Sequence, residues 1–267
     1  MKTIFITGAS SGLGKAAARL FASKGWKVIA TMRTPEKEAD LNQLSNVTLL
    51  PMDVTDHKQI NATVAKAISL GKIDVVFNNA GYGLMGPLEG TSEEQIHRQL
   101  DTNLIGVILV TQAFIPHFRE NRDGLFLTTT SIGGQITVPF STLYHATKWA
   151  LEGFNESLAF ELQEFNIRVK TIAPGGIATD FAGRSMNLST HEAYQETFDK
   201  MLKVLSGSSI FEFSTAEKIA EVAYEAATDG KDIVRYLAGP DAHTLSMQRA
   251  QQGPEVFRKE IAKALLS

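Results

Sequence analysis

Tyr144 and Lys148 are the residues whose types and spacing most directly suggest chemistry. They lie four positions apart in YHATKWALEGFNESLAFEL, a strongly helical stretch, so both side chains should lie on one helix face. A phenol with a pKa of about 10 is a poor acid–base group at neutral pH, but a nearby ammonium favours the phenolate and lowers that pKa. The pair therefore predicts an acid–base site, although this spacing alone also arises by chance.

A glycine cluster near the N-terminus predicts a nucleotide site. Gly8, Gly12 and Gly14 form G-x-x-x-G-x-G within TGASSGLG, between an apolar run and a helical segment. Glycine permits a tight turn and a close approach of the backbone to a pyrophosphate, and the following helix offers free N–H groups to the phosphates. We expect Ser10, Ser11 and Leu13 of the same turn to contact the cofactor. The alternative is a glycine turn without a ligand.

The end of the second apolar run bears on the type of cofactor. A dinucleotide fold places an acid there for a free ribose, or an arginine for a 2′-phosphate. The run ends VIATMR, which puts Arg33 at this position, and the first acid is Glu36 after Pro35. Because an arginine can bind a phosphate through two hydrogen bonds and an acid would repel it, the sequence favours NADP(H) over NAD(H). The alternative is that Arg33 is a solvated loop residue.

These residues lie in a chain in which strands and helices alternate. Apolar runs predict strands at residues 3–7, 27–31, 47–52, 75–78, 124–129, 168–172 and 233–238, and helical patterns fall at 14–23, 35–44, 57–70, 92–118, 142–164 and 215–228. Continuous apolar runs are typical of strands buried on both faces. The pattern predicts an α/β fold with a Rossmann-like, doubly wound, seven-stranded parallel sheet flanked by helices on both faces. We expect one domain over residues 1–267.

Residues 179–209 interrupt this alternation. Ser189 and Glu192 match a capping box, and a helix-spaced apolar stripe follows: Tyr194, Phe198, Met201, Leu202 and Leu205. An insertion at the carboxyl end of a strand is where a substrate cover would lie, although this helix could simply cap the core. The side chains that we expect on the substrate side are mostly apolar: Met85, Gln135, Val138, Phe140, Phe181, Met186 and Tyr194. They favour a hydrophobic ketone or aldehyde.

Composition excludes several classes of function. Lys and Arg number 26 against 29 Asp and Glu, giving a net charge of −3, which argues against a nucleic-acid binder. The chain has no cysteine, so disulfides, zinc–thiolate sites and a cysteine nucleophile are excluded. The histidines are scattered, and we expect no metal site. The longest apolar stretch, residues 104–110, is far below the ~18 residues that span a bilayer, and no signal peptide is recognisable, so we expect a cytoplasmic protein.

The motifs together resemble the short-chain dehydrogenase/reductase family in its compact single-domain branch. The matching segments are TGASSGLG at 7–14, NNAG at 78–81, Asn103 in DTNLIG, Ser131 in TTTSIGG, Tyr144 with Lys148, and PGGIAT at 174–179. They occur in the order and at the approximate spacing of the family. The run from ATMRTPEK through GPLEGTSEEQ also resembles the branch that contains 17β-hydroxysteroid and retinol dehydrogenases.

The resemblance implies roles for individual residues. Ser131 would hydrogen-bond a substrate carbonyl, Tyr144 would donate its proton to the developing alkoxide, and Lys148 would depress the tyrosine pKa and hold the nicotinamide ribose. Asn103 would support a water relay to Lys148, or would merely kink its helix. Cofactor contacts are implied for Asp53, Val54, Asn79, Ala80, Gly81, Pro174, Gly175, Ile177 and Thr179. For Asp53 the alternative is an N-terminal cap of the helix near His57.

The resemblance thus implies an enzyme that transfers a hydride between NADP(H) and a small-molecule carbonyl or alcohol. Members of the fold can instead sense NADP(H) without catalysis, but such proteins commonly lose the tyrosine or lysine that this chain retains. An epimerase or dehydratase would usually have a TGxxGxxG spacing and a longer chain. The predicted helices at 92–118 and 142–164 resemble family interface helices, so a homodimer or homotetramer is expected by analogy.

Overall fold

A seven-stranded parallel sheet forms the centre of the fold. The computed structural model describes residues 1–178, 186–207 and 210–267, and the strands of the sheet are β1 (Thr3–Ile6), β2 (Lys27–Met32), β3 (Val47–Pro51), β4 (Val75–Asn78), β6 (Gly124–Thr129), β7 (Ile167–Pro174) and β11 (Arg235–Ala238). Their order is β11-β7-β6-β4-β1-β2-β3. Two short parallel pairs lie outside it: β5 (Gly83–Met85) with β9 (Met186–Leu188), and β8 (Ile177–Ala178) with β10 (Ser214–Thr215). The predicted sheet is confirmed.

Helices cover both faces of this sheet. The helices are α1 (Gly12–Ser23), α2 (His57–Ser69), α3 (Glu93–Leu100), α4 (Gly106–Asn121), α5 (Thr142–Leu162), α6 (Gln195–Gly207), α7 (Ala216–Thr228), α8 (Pro240–Gln252) and α9 (Pro254–Leu266). Ile4 and Ile6 of β1 pack with α1 and α7, whereas Phe5 between them packs with α2, α4 and α5. This alternation follows from the pleat of a strand that is buried on both sides.

The strand order reverses between β1 and β4, and this places the cleft. Strand β1 pairs with β2 on one side and β4 on the other, so the connections from β1 and β4 diverge at their carboxyl ends. Ligands of open α/β sheets bind at such a switch point. The glycine-rich turn follows β1 and NNAG includes the end of β4, so both motifs reach this point.

Two helix predictions are wrong in detail. Residues 35–44 form two short 3₁₀ turns, Pro35–Lys37 and Leu41–Gln43, because the buried Glu38 carboxylate accepts hydrogen bonds from the backbone N–H groups of Asp40 and Leu41 and so competes with helix formation. Residues 92–118 are not one helix, because a π-helical turn at Asp101–Ile105 separates α3 from α4.

The predicted capping box at Ser189 and Glu192 is also wrong. The Ser189 hydroxyl is buried and donates to the Pro87 carbonyl at 3.2 Å. Glu192 instead begins a 3₁₀ turn that His191 caps. The segment predicted to cover the substrate is thus fastened through Ser189 to the loop after β5, and its role as a cover stays a prediction. In its apolar stripe, Phe198 and Met201 are buried beside α8 and α9, two helices that the sequence did not predict, whereas Tyr194 is 37% exposed.

Candidate active site

Backbone geometry explains the glycine-rich turn. Gly8 and Gly12 have φ angles of +68° and +51°, a region that side chains with a Cβ rarely adopt. A Cβ on Gly14 would collide with the Gly8 carbonyl oxygen and lie 2.5 Å from Asn79 Nδ2. Within the described chain, Ser11 precedes α1 without a side-chain hydrogen bond to its first amides. The turn therefore leaves backbone N–H groups at a helix N-terminus, an arrangement suited to a pyrophosphate.

The NNAG segment braces this turn. The backbone N–H groups of Asn79 and Ala80 both donate to Thr7 Oγ1 at 2.9 Å. Asn79 Nδ2 donates to the Thr7 carbonyl at 3.1 Å, and Thr129 Oγ1 donates to Asn79 Oδ1 at 3.2 Å. Asn79 therefore connects the ends of β1, β4 and β6, and Thr7 is a contributor that the sequence analysis did not single out.

Ser131, Tyr144 and Lys148 meet at the carboxyl end of β6. Ser131 lies two residues after β6 and caps the 3₁₀ turn Ile132–Gly134, where its Oγ accepts a hydrogen bond from the Gly133 N–H at 2.9 Å. Tyr144 and Lys148 lie on one face of α5, with Lys148 Nζ 5.7 Å from the Tyr144 ring centroid. The Tyr144 and Ser131 side chains hydrogen-bond each other. A phenol, a hydroxyl and an ammonium thus share one cleft with the glycine-rich turn.

Burial sets the protonation of this group. Burial raises the pKa of the Tyr144 phenol, and the hydrogen bond with Ser131 opposes the increase. Burial lowers the pKa of Lys148 to about 8, while the negative charge of Glu152 opposes the decrease. The expected lowering of the tyrosine pKa is therefore not met in this structure, where Lys148 Nζ donates to the Thr129 carbonyl at 2.9 Å. A protonated phenol is the form that can give a proton to a carbonyl oxygen.

Replacing Lys148 with Met should raise the free energy of unfolding at neutral pH. Folding lowers the pKa of this lysine from 10.5 to about 8. At pH values below the lower of these two pKa values, the folded state therefore disfavours the ammonium form by about 3 kcal/mol. Loss of the bond to Thr129 offsets about 1 kcal/mol. The net gain, about 2 kcal/mol, should shrink as the pH rises from about 8 toward 10.5, measured by urea unfolding. Lys66→Met, at an exposed position of α2, is the control, and a gain that does not change with pH would contradict the assignment.

Asn103 lies in the π-helical turn and is buried. Its Oδ1 accepts from the Tyr82 N–H at 3.0 Å, and its Nδ2 donates to the Tyr82 carbonyl at 2.8 Å. The side chain thus holds both backbone groups of Tyr82, just after NNAG. Its predicted relay to Lys148 stays a prediction.

His145 is a structural neighbour of the site. Its Nε2 accepts from the Val138 N–H at 2.9 Å, and its Nδ1 lies 2.7 Å from the Gly133 carbonyl oxygen. Burial lowers its pKa, which favours the neutral tautomer with a proton on Nδ1. The ring connects the turn that carries Ser131 to the loop at Val138, and the sequence alone did not show this.

Arg33, Asp53 and Val54 lie at the β2–β3 end of the cleft. Arg33 is exposed and directly follows β2. Two acids that follow it, Glu38 and Asp40, are paired with Lys15, whose Nζ lies 2.9 Å from Glu38 Oε1 and 2.8 Å from Asp40 Oδ2. The cap of α2 is Asp56, which accepts from the N–H groups of Lys58 and Gln59, so the alternative interpretation of Asp53 as this cap is wrong.

The opposite end of the cleft follows β6 and β7. Pro174, Gly175 and Ile177 line it together with Ser131 and Tyr144. Thr179 and Phe181 lie outside the described residues. The cleft has a volume of about 1100 Å³, which accommodates a dinucleotide and a small substrate. No group of His, Asp and Glu side chains in the described chain is arranged to hold a metal ion.

Most predicted substrate-side residues lie behind the cleft wall. Among those that the structure describes, Met186 lines the cleft, whereas Met85, Val138 and Phe140 pack in the apolar cluster of α6, α8 and α9. Gln135 Oε1 accepts from Ser246 Oγ at 2.9 Å, and the Tyr194 hydroxyl donates to Glu89 at 2.9 Å. Their contact with substrate stays a prediction. Two apolar side chains at this end were missed, Ala178 and Phe213, and Leu205 of the predicted apolar stripe also lines it.

Comparisons with a family model and with known proteins point to the same family. A family model described as short chain dehydrogenase matches residues 2–211. The oxidoreductase BOA17 of Botryotinia fuckeliana is 38% identical over 246 residues, covering 90% of each chain. Human 17-beta-hydroxysteroid dehydrogenase type 1 is 34% identical over 252 residues, covering 88% of this chain and 76% of that protein. Human retinol dehydrogenase 8 is 37% identical over 194 residues, covering 68% and 61%.

Solved structures share the whole fold. A short-chain dehydrogenase from Streptomyces avermitilis has a TM-score of 0.86 at 30% identity and covers 98% of this chain and 95% of its own. ElxO, solved with NADP bound, is 26% identical with a TM-score of 0.76, covering 91% and 99%. A 3-ketoacyl-(acyl-carrier-protein) reductase from Brucella melitensis, complexed with NADH, is 26% identical with a TM-score of 0.77, covering 90% and 98%.

Proposed function

This chain belongs to the short-chain dehydrogenase family, whose members are oxidoreductases acting on CH–OH and carbonyl groups, and we propose that it is an NADPH-dependent reductase of apolar ketones or aldehydes. The reverse reaction would oxidise a secondary alcohol. The observation that carries the proposal is the meeting of Ser131, Tyr144 and Lys148 in the cleft that also contains the glycine-rich turn.

The close packing of the glycine-rich turn supports cofactor binding independently of the comparison with similar proteins. Gly14 lacks the Cβ that would collide with the Gly8 carbonyl, so the turn packs closely while α1 directs its first N–H groups outward. Phosphates bind at such helix ends. When bound, NADPH supplies a hydride to the carbonyl carbon.

The protein supplies the proton and the orientation. Since Ser131 Oγ already accepts the Gly133 N–H, its hydroxyl proton can be donated to a substrate oxygen. Tyr144 gives its phenolic proton to the same oxygen as negative charge develops there. The phenolate that remains takes a proton from solvent, with Lys148 Nζ 5.7 Å from the centroid of its ring.

An apolar substrate is supported by the wall next to these groups. Ile177, Met186, Leu205 and Phe213 line the cleft there, and Asn187 adds a polar contact. To test this, the protein would be incubated with NADPH and a panel of apolar ketones, aldehydes and charged sugars while the absorbance of the reduced nicotinamide is followed. Stoichiometric consumption with apolar carbonyls is expected. Turnover restricted to charged sugars would refute the apolar preference, and product without net NADPH consumption would indicate an epimerase.

We propose NADP(H) rather than NAD(H) because Arg33 lines the cleft after β2, while Glu38 and Asp40 of the following segment are paired with Lys15. Replacing Arg33 with Ala should weaken NADPH binding about 10- to 100-fold, the value of a charge-assisted pair of ~1.5–3 kcal/mol, and should leave NADH binding unchanged. Dissociation constants by calorimetry measure both effects.

Arg19→Ala is the matched control, because Arg19 lines the same end but is paired with Asp40 at 3.1 Å. We expect a smaller loss of NADPH affinity from this change. A wild-type protein that binds NADH as tightly as NADPH would contradict the cofactor assignment.

Assembly and location remain predictions. A homodimer or homotetramer would use the exposed side of α5, where Trp149 and Phe160 are 42% and 76% exposed. In the described residues, none of the helices has the length and apolar character to cross a bilayer.

A further inference from the structure

We propose that Asp241 is a positioning residue that fixes the backbone of residues 174–177 for the nicotinamide half of the cofactor. This inference rests on the proposed function. Asp241 lies in the first turn of α8, beyond the residues that the family model matches. It does not line the cleft described above, so it would act through the loop rather than on the cofactor directly.

The Asp241 carboxylate is buried and bonded on both oxygens. Asp241 is 4% exposed to solvent. Oδ2 accepts from the Gly176 N–H at 2.6 Å, and Oδ1 accepts from the Ala242 N–H at 2.9 Å. One oxygen therefore holds the cleft loop and the other holds the start of α8. Hydrogen bonds to a carboxylate are about twice as strong as those between neutral groups.

Two glycines make room for this carboxylate. A Cβ on Gly175 would collide with Asp241 Oδ1. Gly239 has a φ angle of +104°, and a Cβ there would lie 2.9 Å from the same oxygen. The backbone thus approaches the carboxylate from both sides, and the approach at each position requires the absence of a side chain.

The other hydrogen bonds that the structure describes for this loop join backbone groups. The Gly175 N–H donates to the Ala238 carbonyl at 3.0 Å, and the Ser214 N–H donates to the Gly176 carbonyl at 2.9 Å. Strand β8, which begins at Ile177, then pairs with β10. Asp241 supplies the acceptor for the N–H of Gly176, a half-buried residue that lines the cleft.

The sheet order tells which half of the cofactor should respond. Arg33 and Asp53 follow β2 and β3, at one end of the sheet, whereas Ser131 and the loop at 174–177 follow the neighbouring strands β6 and β7. Because hydride transfer must occur beside Tyr144, the nicotinamide half belongs to the β6–β7 end. Loosening the loop should therefore weaken binding of this half and spare the adenosine half.

Asp241→Asn tests whether the two halves of the cofactor respond separately. Asparagine keeps the shape of the aspartate side chain but places an NH₂ group against one of the two N–H donors. The dissociation constants of NADPH and of 2′,5′-ADP, which lacks the nicotinamide half, would be measured by calorimetry. We expect NADPH to bind on the order of tenfold more weakly, consistent with the loss of a hydrogen bond to a charged acceptor, and 2′,5′-ADP to bind as it does to the wild type.

Asp74→Asn is the matched control. Asp74 Oδ2 accepts from the Thr3 N–H at 2.7 Å, so this variant loses a similar bond at the amino edge of the sheet, opposite the cleft. It should lower the melting temperature and leave both dissociation constants unchanged. If Asp241→Asn does not fold, Asp241→Ser keeps one acceptor for α8 but loses the second oxygen, and the same selective loss is expected.

Each contrary outcome is distinguishable. Unchanged NADPH affinity in a folded Asp241 variant, or an equal loss for NADPH and 2′,5′-ADP, would overturn the positioning role and leave the proposed function standing. A wild-type protein that binds 2′,5′-ADP but gains no affinity from the nicotinamide half would also overturn it. A wild-type protein that binds neither ligand would overturn the proposed function itself.

Discussion

Replacing Tyr144 with Phe should reduce turnover by about 10²- to 10⁴-fold, the usual contribution of a positioned general acid, while the NADPH dissociation constant stays within about twofold. The phenol is the proton donor in the proposed reaction, and burial keeps it protonated. Its hydroxyl bonds to Ser131 within the cleft, whereas the glycine-rich turn and Arg33 are proposed to hold other parts of the cofactor. Steady-state turnover and calorimetric binding, measured on the same preparation, check both halves of this prediction.

Tyr224→Phe is the matched control, because Tyr224 packs on α7 against Phe21 and Trp26, away from the cleft. It should keep normal turnover. If Tyr144→Phe also keeps normal turnover, the proton comes from another group and the assignment of the acid is wrong.

Replacing Gly14 with Ala should weaken NADPH binding by about 100-fold or more and lower the melting temperature. The added Cβ would collide with the Gly8 carbonyl and lie 2.5 Å from Asn79 Nδ2, and backbone atoms cannot yield as the end of a flexible side chain can. Overpacking of this kind typically costs ~1–3 kcal/mol of stability. The displaced turn would also misplace the N–H groups at the start of α1.

Gly153→Ala controls for the substitution itself. Gly153 lies within α5, and a Cβ there would meet nothing within 4 Å, so alanine should stabilise the helix by ~0.5–1 kcal/mol. NADPH binding should be unchanged. A Gly14→Ala protein that binds NADPH as tightly as the wild type would show that close packing of this turn does not determine the phosphate site.

The sheet could be predicted from the sequence because the apolar runs that indicate its strands are local patterns. Apolar runs such as residues 75–78 and 124–129 match β4 and β6 residue for residue, since strands buried on both faces leave little ambiguity in the pattern. The segments whose predictions were wrong depend on contacts with distant residues. The stretch at 35–44 has a helical pattern, yet Glu38 lies next to Lys15 of α1 and binds the backbone amides of its own segment.

Site residues were predictable where the spacing within a motif fixes their relative positions. Tyr144 and Lys148 share a helix face because of their spacing, and the glycine-rich turn follows directly from the strand before it. The substrate side was not predictable in this way. Phe140 was expected to contact substrate, but its ring packs against Phe198 of α6 at 5.1 Å between centroids. Asp241 was missed because its partner Gly176 lies 65 positions away.

NADPH that carries deuterium at the transferred position would follow the proposed hydride transfer directly. An apolar ketone would be reduced with this cofactor, and the product alcohol would be analysed by mass spectrometry. We expect one deuterium on the carbinol carbon of each product molecule, with one NADPH consumed. A product without deuterium, or deuterated NADPH that remains unchanged across the apolar panel, would contradict the proposed hydride transfer.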